Sequence, residues 1–261
     1  MPSRMPVVFV SHGAPDALLK AADAVACWRE IGEKLPRPAA VLVVSAHWQA
    51  RSPTLSLSGA PETIHDFSGF PPALHRMQYP APGAPALAEQ AAAMIAAAGM
   101  TAELHPDRGL DHGAWVPLSA LYPEASVPVC QLSLVRGGDP VSHLELGRAL
   151  TPLRDAGVLI LASGAVTHNF SWLDWQGRSA PLPAARAFSD WVADRINAQD
   201  TTGLANYRLA PHGAAAHPTE EHFMPLFVAA GAAGVDPVTR CQPGFTYGSL
   251  SMDAYVWGLP S

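Results

Sequence analysis

Three short hydrophobic segments, each running into a serine and then a histidine, constrain the fold more than any other feature of the sequence. The segments cover residues 7–10, 41–44 and 158–162, and the histidines that follow them are His12, His47 and His168. Runs of β-branched and aliphatic residues are typical of strands that are buried on both faces. Ligands of open α/β sheets bind beyond the carboxyl ends of the strands. We therefore expect these histidines to meet in one crevice.

The order of the remaining segments predicts an α/β protein. A helix over 16–34, with apolar residues on one face, separates the first two strands, and this arrangement favours a parallel pair with a right-handed crossover. Further helices are predicted at 85–98, 141–156 and 183–197, with one ending near 122, and further strands at 55–57, 101–104, 127–134 and 247–256. The chain of 261 residues shows no dividing linker, so residues 1–261 are predicted to form a single domain.

Composition excludes several classes of partner. The chain has 22 acidic and 16 basic residues, which predicts no binding to nucleic acid. No apolar run reaches the roughly 18 residues of a spanning helix, which predicts no membrane segment. The three cysteines show no CxxC spacing, so each is expected to be an unpaired buried residue in a reducing compartment. Together these features predict a soluble cytoplasmic protein.

The residues available for chemistry are mainly histidines, of which the chain has 11. Any metal ligands would therefore be imidazoles and carboxylates. There is no GxGxxG after a strand, no P-loop, no GxSxG and no HExxH, so nucleotide-cofactor and serine-hydrolase functions lose ground. A long loop over 59–85 is typical of a lid or a wall of a binding site.

The segment 217–226 is predicted to open the last helix, with Thr219 as its N-cap and two glutamates in the first turn. Adjacent helical residues point about 100° apart. On that basis Glu221 and His222 are not expected to face one metal together.

Seven short motifs follow one another between residues 11 and 252. They are Ser11-His12-Gly13-Ala14-Pro15, Ser45-Ala46-His47-Trp48, Thr63-Ile64-His65-Asp66-Phe67, Asp111-His112-Gly113-Ala114-Trp115, Ser163-Gly164-Ala165-Val166-Thr167-His168-Asn169, Pro218-Thr219-Glu220-Glu221-His222-Phe223-Met224-Pro225-Leu226 and Gly248-Ser249-Leu250-Ser251-Met252. In order, they resemble the motifs of the class III extradiol ring-cleavage dioxygenases of the LigB superfamily. The resemblance is to the DOPA 4,5-dioxygenase-like branch and covers nearly the whole chain.

This resemblance implies a central, mostly parallel (mixed) sheet flanked by helices and one divalent metal ion per chain. It implies that His12, His47 and His222 are the metal ligands, where many members of the superfamily have a carboxylate as the third ligand. It further implies that His168 is the catalytic acid and base, or a fourth ligand when zinc is bound. His112 is expected to act in the wall of the active site.

The implied activity is extradiol cleavage of a DOPA-like or related catechol with insertion of both atoms of O₂. A non-haem Fe(II) centre needs ligands on one face and open positions opposite, where a catechol and dioxygen can be brought together. A histidine titrates in the range needed to take and return a phenolic proton. Fe(II) is expected for turnover and Zn(II) as a bound or alternative metal, in a monomer or a homodimer.

Other residues and other functions stay open. His65 and His217 lie beside matched motifs and are predicted to contact substrate. Trp48, like Trp115 and Phe67, is a candidate for stacking on an aromatic ring, with core packing as the alternative. A three-histidine site with an open position also suits a zinc-dependent hydrolase. A non-catalytic metal-binding relative is the third possibility, and oxygen dependence separates the first two.

Overall fold

Hydrophobic segments form the strands of the computed structural model, which describes residues 4–259. In that part of the chain the strands are β1 (Val7–Ser11), β2 (Ala40–Ala50), β3 (Thr54–Ser56), β4 (Glu103–His105), β5 (Val129–Val135), β6 (Val158–Gly164), β7 (Val238–Cys241), β8 (Phe245–Thr246), β9 (Leu250–Ser251) and β10 (Ala254–Trp257). Strands β8 and β9 pair with each other, and the other strands form one sheet.

The large sheet has the strand order β4-β3-β5-β2-β6-β1-β10-β7. Its four central strands, β5, β2, β6 and β1, run parallel to one another. Strands β3 and β10 join this parallel block in antiparallel fashion from its two sides. The predicted fold class, a single α/β domain with a central, mostly parallel mixed sheet, is therefore confirmed.

Helices cover both faces of the sheet. In the described residues they are α1 (Ala17–Lys20), α2 (Ala22–Lys34), α3 (Pro85–Ala97), α4 (His112–Leu121), α5 (Pro140–Leu150), α6 (Pro183–Asn197), α7 (Thr201–Ala205), α8 (Gly213–Ala216) and α9 (Met224–Ala233). Successive residues of a strand point to opposite faces. Accordingly Val41 and Val43 of β2 pack on the side of α2 and α4, whereas Leu42 and Val44 pack on the side of α5 and α9.

Several predicted boundaries need correction. The predicted helix 16–34 is divided at Ala21 into α1 and α2. The predicted helix 141–156 ends at Leu150 and continues as a short 3-10 turn that contains Pro152. A proline cannot donate the backbone hydrogen bond that the next helical turn requires, so the α-helix stops there.

The start of the last helix was predicted wrongly. Helix α9 begins at Met224, and residues 218–223 form turns before it, so Thr219 is not its N-cap. Pro225 lies in the first turn of α9. Proline is favoured there because its fixed φ suits a helix and its missing N–H has no intrahelical partner. Pro225 was therefore a better marker of the helix start than Thr219.

Two of the three cysteines form a pair. Cys27 of α2 and Cys241 of β7 are joined by a disulfide, with Cα atoms 6.4 Å apart, whereas Cys130 is free and buried. The prediction of three unpaired cysteines is wrong because the fold brings together residues 214 positions apart, which spacing rules do not detect. The cysteine pattern therefore no longer supports the predicted cytoplasmic location. Between residues 4 and 259, no helix is both long and apolar enough to cross a membrane.

Candidate active site

Three imidazoles converge at the carboxyl end of the parallel strands. The Nε2 atom of His47 lies 3.1 Å from the Nε2 of His12 and 3.3 Å from the Nε2 of His222. His12 and His222 are buried, and the side chain of His47 is about one-fifth exposed. These three residues form a group whose nitrogen atoms are close enough to hold one metal ion.

Each of the three histidines reaches this point by a different local structure. His12 follows the last residue of β1, as expected from the sequence. His47 lies within β2, at a shift in register between β2 and β5 that spans residues 44–49. Such irregularities re-aim side chains near active sites. His222 lies in the turn before α9, and its carbonyl oxygen accepts a hydrogen bond of 2.8 Å from the backbone of Ala165.

The glycine at the end of β6 allows His222 to come this close. A Cβ atom at Gly164 would collide with the carbonyl oxygen of His222. Any larger residue would have to displace the turn that carries His222. The Ser163-Gly164 end of β6 therefore helps to set the position of this imidazole.

The other ring nitrogen of each histidine has an oxygen partner. The Nδ1 of His12 lies 2.9 Å from the hydroxyl of Ser163, and the Nδ1 of His222 lies 3.0 Å from the Oε1 of Glu221. The Nδ1 of His47 lies 3.6 Å from the Oδ2 of Asp66. Metal-bound histidines usually have such partners, which fix the orientation of the ring.

The geometry and chemistry of this group fit a divalent transition metal. Nitrogen ligands at about 2.0–2.1 Å in a tetrahedral arrangement lie roughly 3.3 Å apart, which agrees with the Nε2 separations observed here. Burial, followed by the proximity of the other imidazoles, holds the pKa of His12 and of His222 well below 6.5. The same causes lower the pKa of His47 to about 4. At neutral pH all three rings are therefore neutral, the form that binds metals.

His168 lies beside this group without belonging to it. Its ring is stacked on that of His222, with centroids 3.4 Å apart and planes 8° from parallel. Burial lowers the pKa of His168 to about 4, so the ring is neutral at pH 7. Among the described residues its side chain has no hydrogen-bond partner, and it lines the adjacent cavity. It is therefore available to a ligand in that cavity.

His112 and Asp66 form a pair on the opposite wall. The Oδ1 of Asp66 accepts hydrogen bonds from the backbone N–H of His112, at 3.0 Å, and from its Nδ1, at 2.9 Å. Burial raises the pKa of Asp66, but the hydrogen bonds from His112 outweigh it and lower the pKa overall. The ionised carboxylate can only accept hydrogen bonds and cannot donate one. The Nδ1 of His112 consequently carries the hydrogen, and its Nε2 has no hydrogen-bond partner among residues 4–259.

A buried polar network supports His47 from behind. The carboxylate of Asp111, the N-cap of α4, accepts hydrogen bonds from Ser45 at 2.6 Å and from Arg108 at 2.9 Å, and it also accepts one from Gln131. Ser45 Oγ in turn accepts a hydrogen bond from the backbone of His47. The chain of hydrogen bonds from Asp111 through Ser45 to His47 holds the backbone of His47 in place. Arg108 Nε and Gln131 Oε1 are buried without a partner among the described residues.

The cavity in front of the histidines has a volume of about 360 Å³. His47, His112, His168 and His222 form its inner wall. The other lining residues include four aromatic ones, namely Phe67, Phe70, Phe170 and Trp175. Among the described residues that line it, none is a lysine or an arginine. A planar apolar ring with polar groups at one end suits this shape and polarity.

The three predicted substrate contacts do not line this cavity. His217 is fully buried among aromatic residues of the core, and its Nε2 lies 2.8 Å from the carbonyl oxygen of Val166. His65 binds the carbonyl oxygen of Met77 at 2.9 Å. Trp48 packs beside His105, beneath the guanidinium of Arg108. All three residues are close in sequence to motifs of the site, but the structure places their side chains away from this cavity.

Sequence reasoning missed several residues of the site. Asp66 stood in a quoted motif without a role, and Ser163 was noted only as part of a strand end. Glu221 was not expected to face the metal together with His222, because both were placed in a helix. Both residues lie in a turn instead, and the Glu221 carboxylate contacts Nδ1 of the His222 ring, a supporting contact that the sequence did not predict. Phe170 and Trp175, which form much of the cavity mouth, follow no strand and gave no signal.

Comparison with known proteins agrees with this geometry. Residues 5–256 match the family model described as the catalytic LigB subunit of aromatic ring-opening dioxygenase. A protein of Escherichia coli K12 named 4,5-DOPA dioxygenase extradiol is 40% identical over 254 residues, which cover 96% of this chain and 93% of that protein. A protein of Beta vulgaris with the same name is 42% identical, over 87% of this chain and 86% of that protein.

A solved structure matches the whole fold. The crystal structure of an uncharacterized protein from Escherichia coli K12 superposes with a TM-score of 0.80 at 36% sequence identity, covering 97% of this chain and all of the other. The family match spans nearly the full length of the chain and includes every element that carries a histidine of the site. The chain therefore belongs to the LigB family of aromatic ring-opening dioxygenases, and it is an enzyme that cleaves aromatic rings.

Proposed function

We propose that this protein is an extradiol catechol dioxygenase that depends on one divalent metal ion held by His12, His47 and His222. The observation that carries the proposal is the convergence of the Nε2 atoms of three neutral imidazoles at the inner end of an aromatic cavity. The chain also belongs to the LigB family. Three ligands on one side leave coordination positions open toward the cavity, as non-haem iron oxygenases require.

Fe(II) is the metal that we propose for turnover, and Zn(II) is an alternative occupant. When bound, Fe(II) would supply the redox chemistry that allows dioxygen to react with a catechol. Ser163 and Glu221 would keep the rings of His12 and His222 oriented through hydrogen bonds at Nδ1, and Asp66 lies 3.6 Å from the Nδ1 of His47. Replacing a partner of this kind usually weakens metal binding or activity.

His168 is proposed to be the acid and base rather than a fourth ligand. Its stacking on His222 places the ring parallel to a ligand, and its side chain faces the cavity with no other partner among residues 4–259. A neutral imidazole with a lowered pKa can accept a phenolic proton at Nδ1 or Nε2 and return it to the opened product.

His112 is proposed to contact the substrate from the opposite wall. Because Asp66 fixes the hydrogen of His112 on Nδ1, the Nε2 is the atom that remains to accept a hydrogen bond from a hydroxyl group. The aromatic walls formed by Phe67, Phe70 and Phe170 would hold the ring and exclude water. Orientation of the reactants in this way accounts for a large part of many rate enhancements.

The substrate is proposed to be a small aromatic diol, with O₂ as the second substrate and both oxygen atoms incorporated. Two relatives are named for 4,5-DOPA cleavage, and the cavity volume suits one substituted catechol ring. We propose a DOPA-like or related catechol.

The test is oxygen uptake by metal-free protein reconstituted anaerobically with Fe(II) or with Zn(II) and then offered DOPA, caffeate and 4-methylcatechol. We expect uptake, with a yellow ring-opened product, in the Fe(II) sample alone. No uptake with either metal on any catechol would contradict the proposal. The zinc sample would then be assayed on esters and amides, because the same three histidines would suit a zinc hydrolase.

A further inference from the structure

A second cavity, of about 390 Å³, adjoins the first at its mouth. The two cavities share Ser68, Phe70 and Trp175 in their walls, so they are adjacent at these side chains. The second cavity differs from the first in its polar lining, which comprises Asp16, Lys20 and Tyr247.

The charges of the two cavities are complementary to different parts of a ligand. Among the described residues that line the first cavity, none is a lysine or an arginine, and the one carboxylate, Asp66, is hydrogen-bonded to His112. An anionic substituent of a ligand therefore meets no cationic side chain in the first cavity. Lys20 is the cationic side chain that the described residues place in the second cavity.

Hydrogen bonds hold the ammonium group of Lys20 in place. Its Nζ lies 2.8 Å from the Oδ2 of Asp16 and donates to the hydroxyl of Tyr247 at 3.1 Å. The hydroxyl of Tyr247 in turn donates to Asp16, at 2.5 Å. Asp16 is only 1% exposed, whereas the side chain of Lys20 is 55% exposed. Both groups line the cavity, but the ammonium is by far the more exposed of the two to an incoming ligand.

One donor of Lys20 is left for such a ligand. An ammonium group has three hydrogens, and two of them are used by Asp16 and Tyr247. Carboxylates are the natural partners of a fixed ammonium, with which they form charge-assisted hydrogen bonds. The edge of Trp175, which is half exposed between the two cavities, offers an apolar surface to the connecting atoms of the ligand.

We propose that Lys20 is a specificity-determining residue that binds a carboxylate on the side chain of the substrate while the catechol ring occupies the first cavity. This inference rests on the proposed function for the identity of the ring. It assigns the second cavity as an outer subsite, with Asp16 and Tyr247 as the residues that position the ammonium.

The test compares two ligands of nearly the same shape, 3,4-dihydroxyphenylacetate and its neutral amide. Their Kd values are measured by calorimetry under anaerobic conditions on the Zn(II)-loaded protein, so that binding does not depend on turnover. The variants are Lys20→Met, Lys20→Arg and, as a matched control, Lys34→Met. Lys34 is also paired with an acidic residue four positions away, Glu30, on an exposed helix surface.

We expect Lys20→Met to weaken binding of the acid relative to the amide by about threefold to tenfold. Lys20→Arg should keep most of the preference, and Lys34→Met should leave it unchanged. An unchanged ratio in Lys20→Met, an equal change in Lys34→Met, or no binding of either ligand to the wild type would overturn the inference. A retained preference in a protein that opens no catechol with Fe(II) would contradict the proposed function alone.

Discussion

The inner wall of the cavity and its mouth are built in different ways. The inner wall consists of histidines fixed by strand ends, by the N-terminus of α4 and by the turn before α9, and the rings of His112 and His222 each have a hydrogen-bonded oxygen partner. The mouth consists of aromatic side chains on irregular segments, and Phe170 and Trp175 are 67% and 51% exposed. The difference indicates that chemistry is located at the inner wall and selection of the substrate at the mouth.

This division predicts how substitutions will act. A change at the inner wall should reduce metal content or kcat, because the residues there hold the metal and the protons. A change at the mouth should alter KM, since the residues there contact only the outer part of a substrate.

The largest effect is expected for loss of a metal ligand. His47→Ala should abolish stoichiometric metal binding. Turnover should fall by more than about 100-fold, because losing a residue that only orients a metal ligand already costs up to about that much. Metal content after reconstitution is the direct measurement. His105→Ala, an exposed histidine of β4, serves as the control and should retain the metal. Full metal content in His47→Ala would remove His47 from the ligand set.

Loss of the proposed acid and base should separate metal binding from turnover. His168→Ala is expected to keep one metal ion per chain while its kcat falls by about 100- to 10,000-fold, the usual contribution of general acid and base catalysis. Metal analysis and oxygen uptake on the same sample provide the comparison. A metal-free His168→Ala protein would make His168 a fourth ligand.

Asp66→Asn tests the pair that holds His112 and lies beside His47. We expect kcat to fall by about 10- to 100-fold, because the amide no longer fixes the hydrogen of His112 on Nδ1. Asp107→Asn, at a nearby exposed position, should keep the wild-type rate. Equal rates for the two variants would show that Asp66 has no positioning role.

At the mouth, Phe170→Ala should raise KM by about twofold to tenfold, because one aromatic contact contributes a free energy of about that size. The value of kcat should change little. Because Phe170 is mostly exposed, the fold should be unaffected. Trp48→Phe should leave both constants unchanged, since Trp48 lies away from the cavity. A fall in kcat without a change in KM for Phe170→Ala would break the proposed division.

The smallest effect on activity is expected at His217, whose influence should instead be on stability. Burial lowers its pKa to about 3 in the folded state, against about 6.5 in an unfolded chain. Between these two pH values the unfolded chain binds a proton at His217 and the folded chain does not. The free energy of unfolding therefore decreases as pH falls from about 6.5 to about 3, by up to about 1.4 kcal/mol per pH unit.

Urea unfolding of metal-free protein at about pH 6 and about pH 5 measures this dependence. Wild type should lose more stability between the two values than His217→Gln, which cannot take up a proton there. An equal loss in both proteins would show that His217 is not kept neutral by the core.

The sequence was sufficient to predict the inner wall for a physical reason. Buried strands have a distinctive composition, and parallel strands bring their carboxyl ends to one edge, so His12 and His47 were predictable as neighbours without knowledge of the intervening chain. The sheet class followed from the same signals. His222 was predictable only through the family resemblance, because no strand precedes it.

The mouth and the fine structure of the inner wall could not be predicted in this way. Phe170 and Trp175 lie on a segment without periodicity, and Asp66 lies in a long loop whose path is set by contacts with α4. The contact of Glu221 with Nδ1 of His222 was not predicted, because the last helix was extended through the turn that carries both residues. The Cys27 pairing depends on the packing of α2 near β7, which no local pattern records.

The most direct test of the account is a titration of metal-free protein with Fe(II) under anaerobic conditions, followed by measurement of oxygen uptake with 4-methylcatechol at each addition. The account predicts that uptake rises in proportion to the iron added and stops rising at one Fe(II) per chain. Uptake that is absent throughout, or that continues to rise beyond one Fe(II) per chain, would contradict a catechol dioxygenase with a single three-histidine centre.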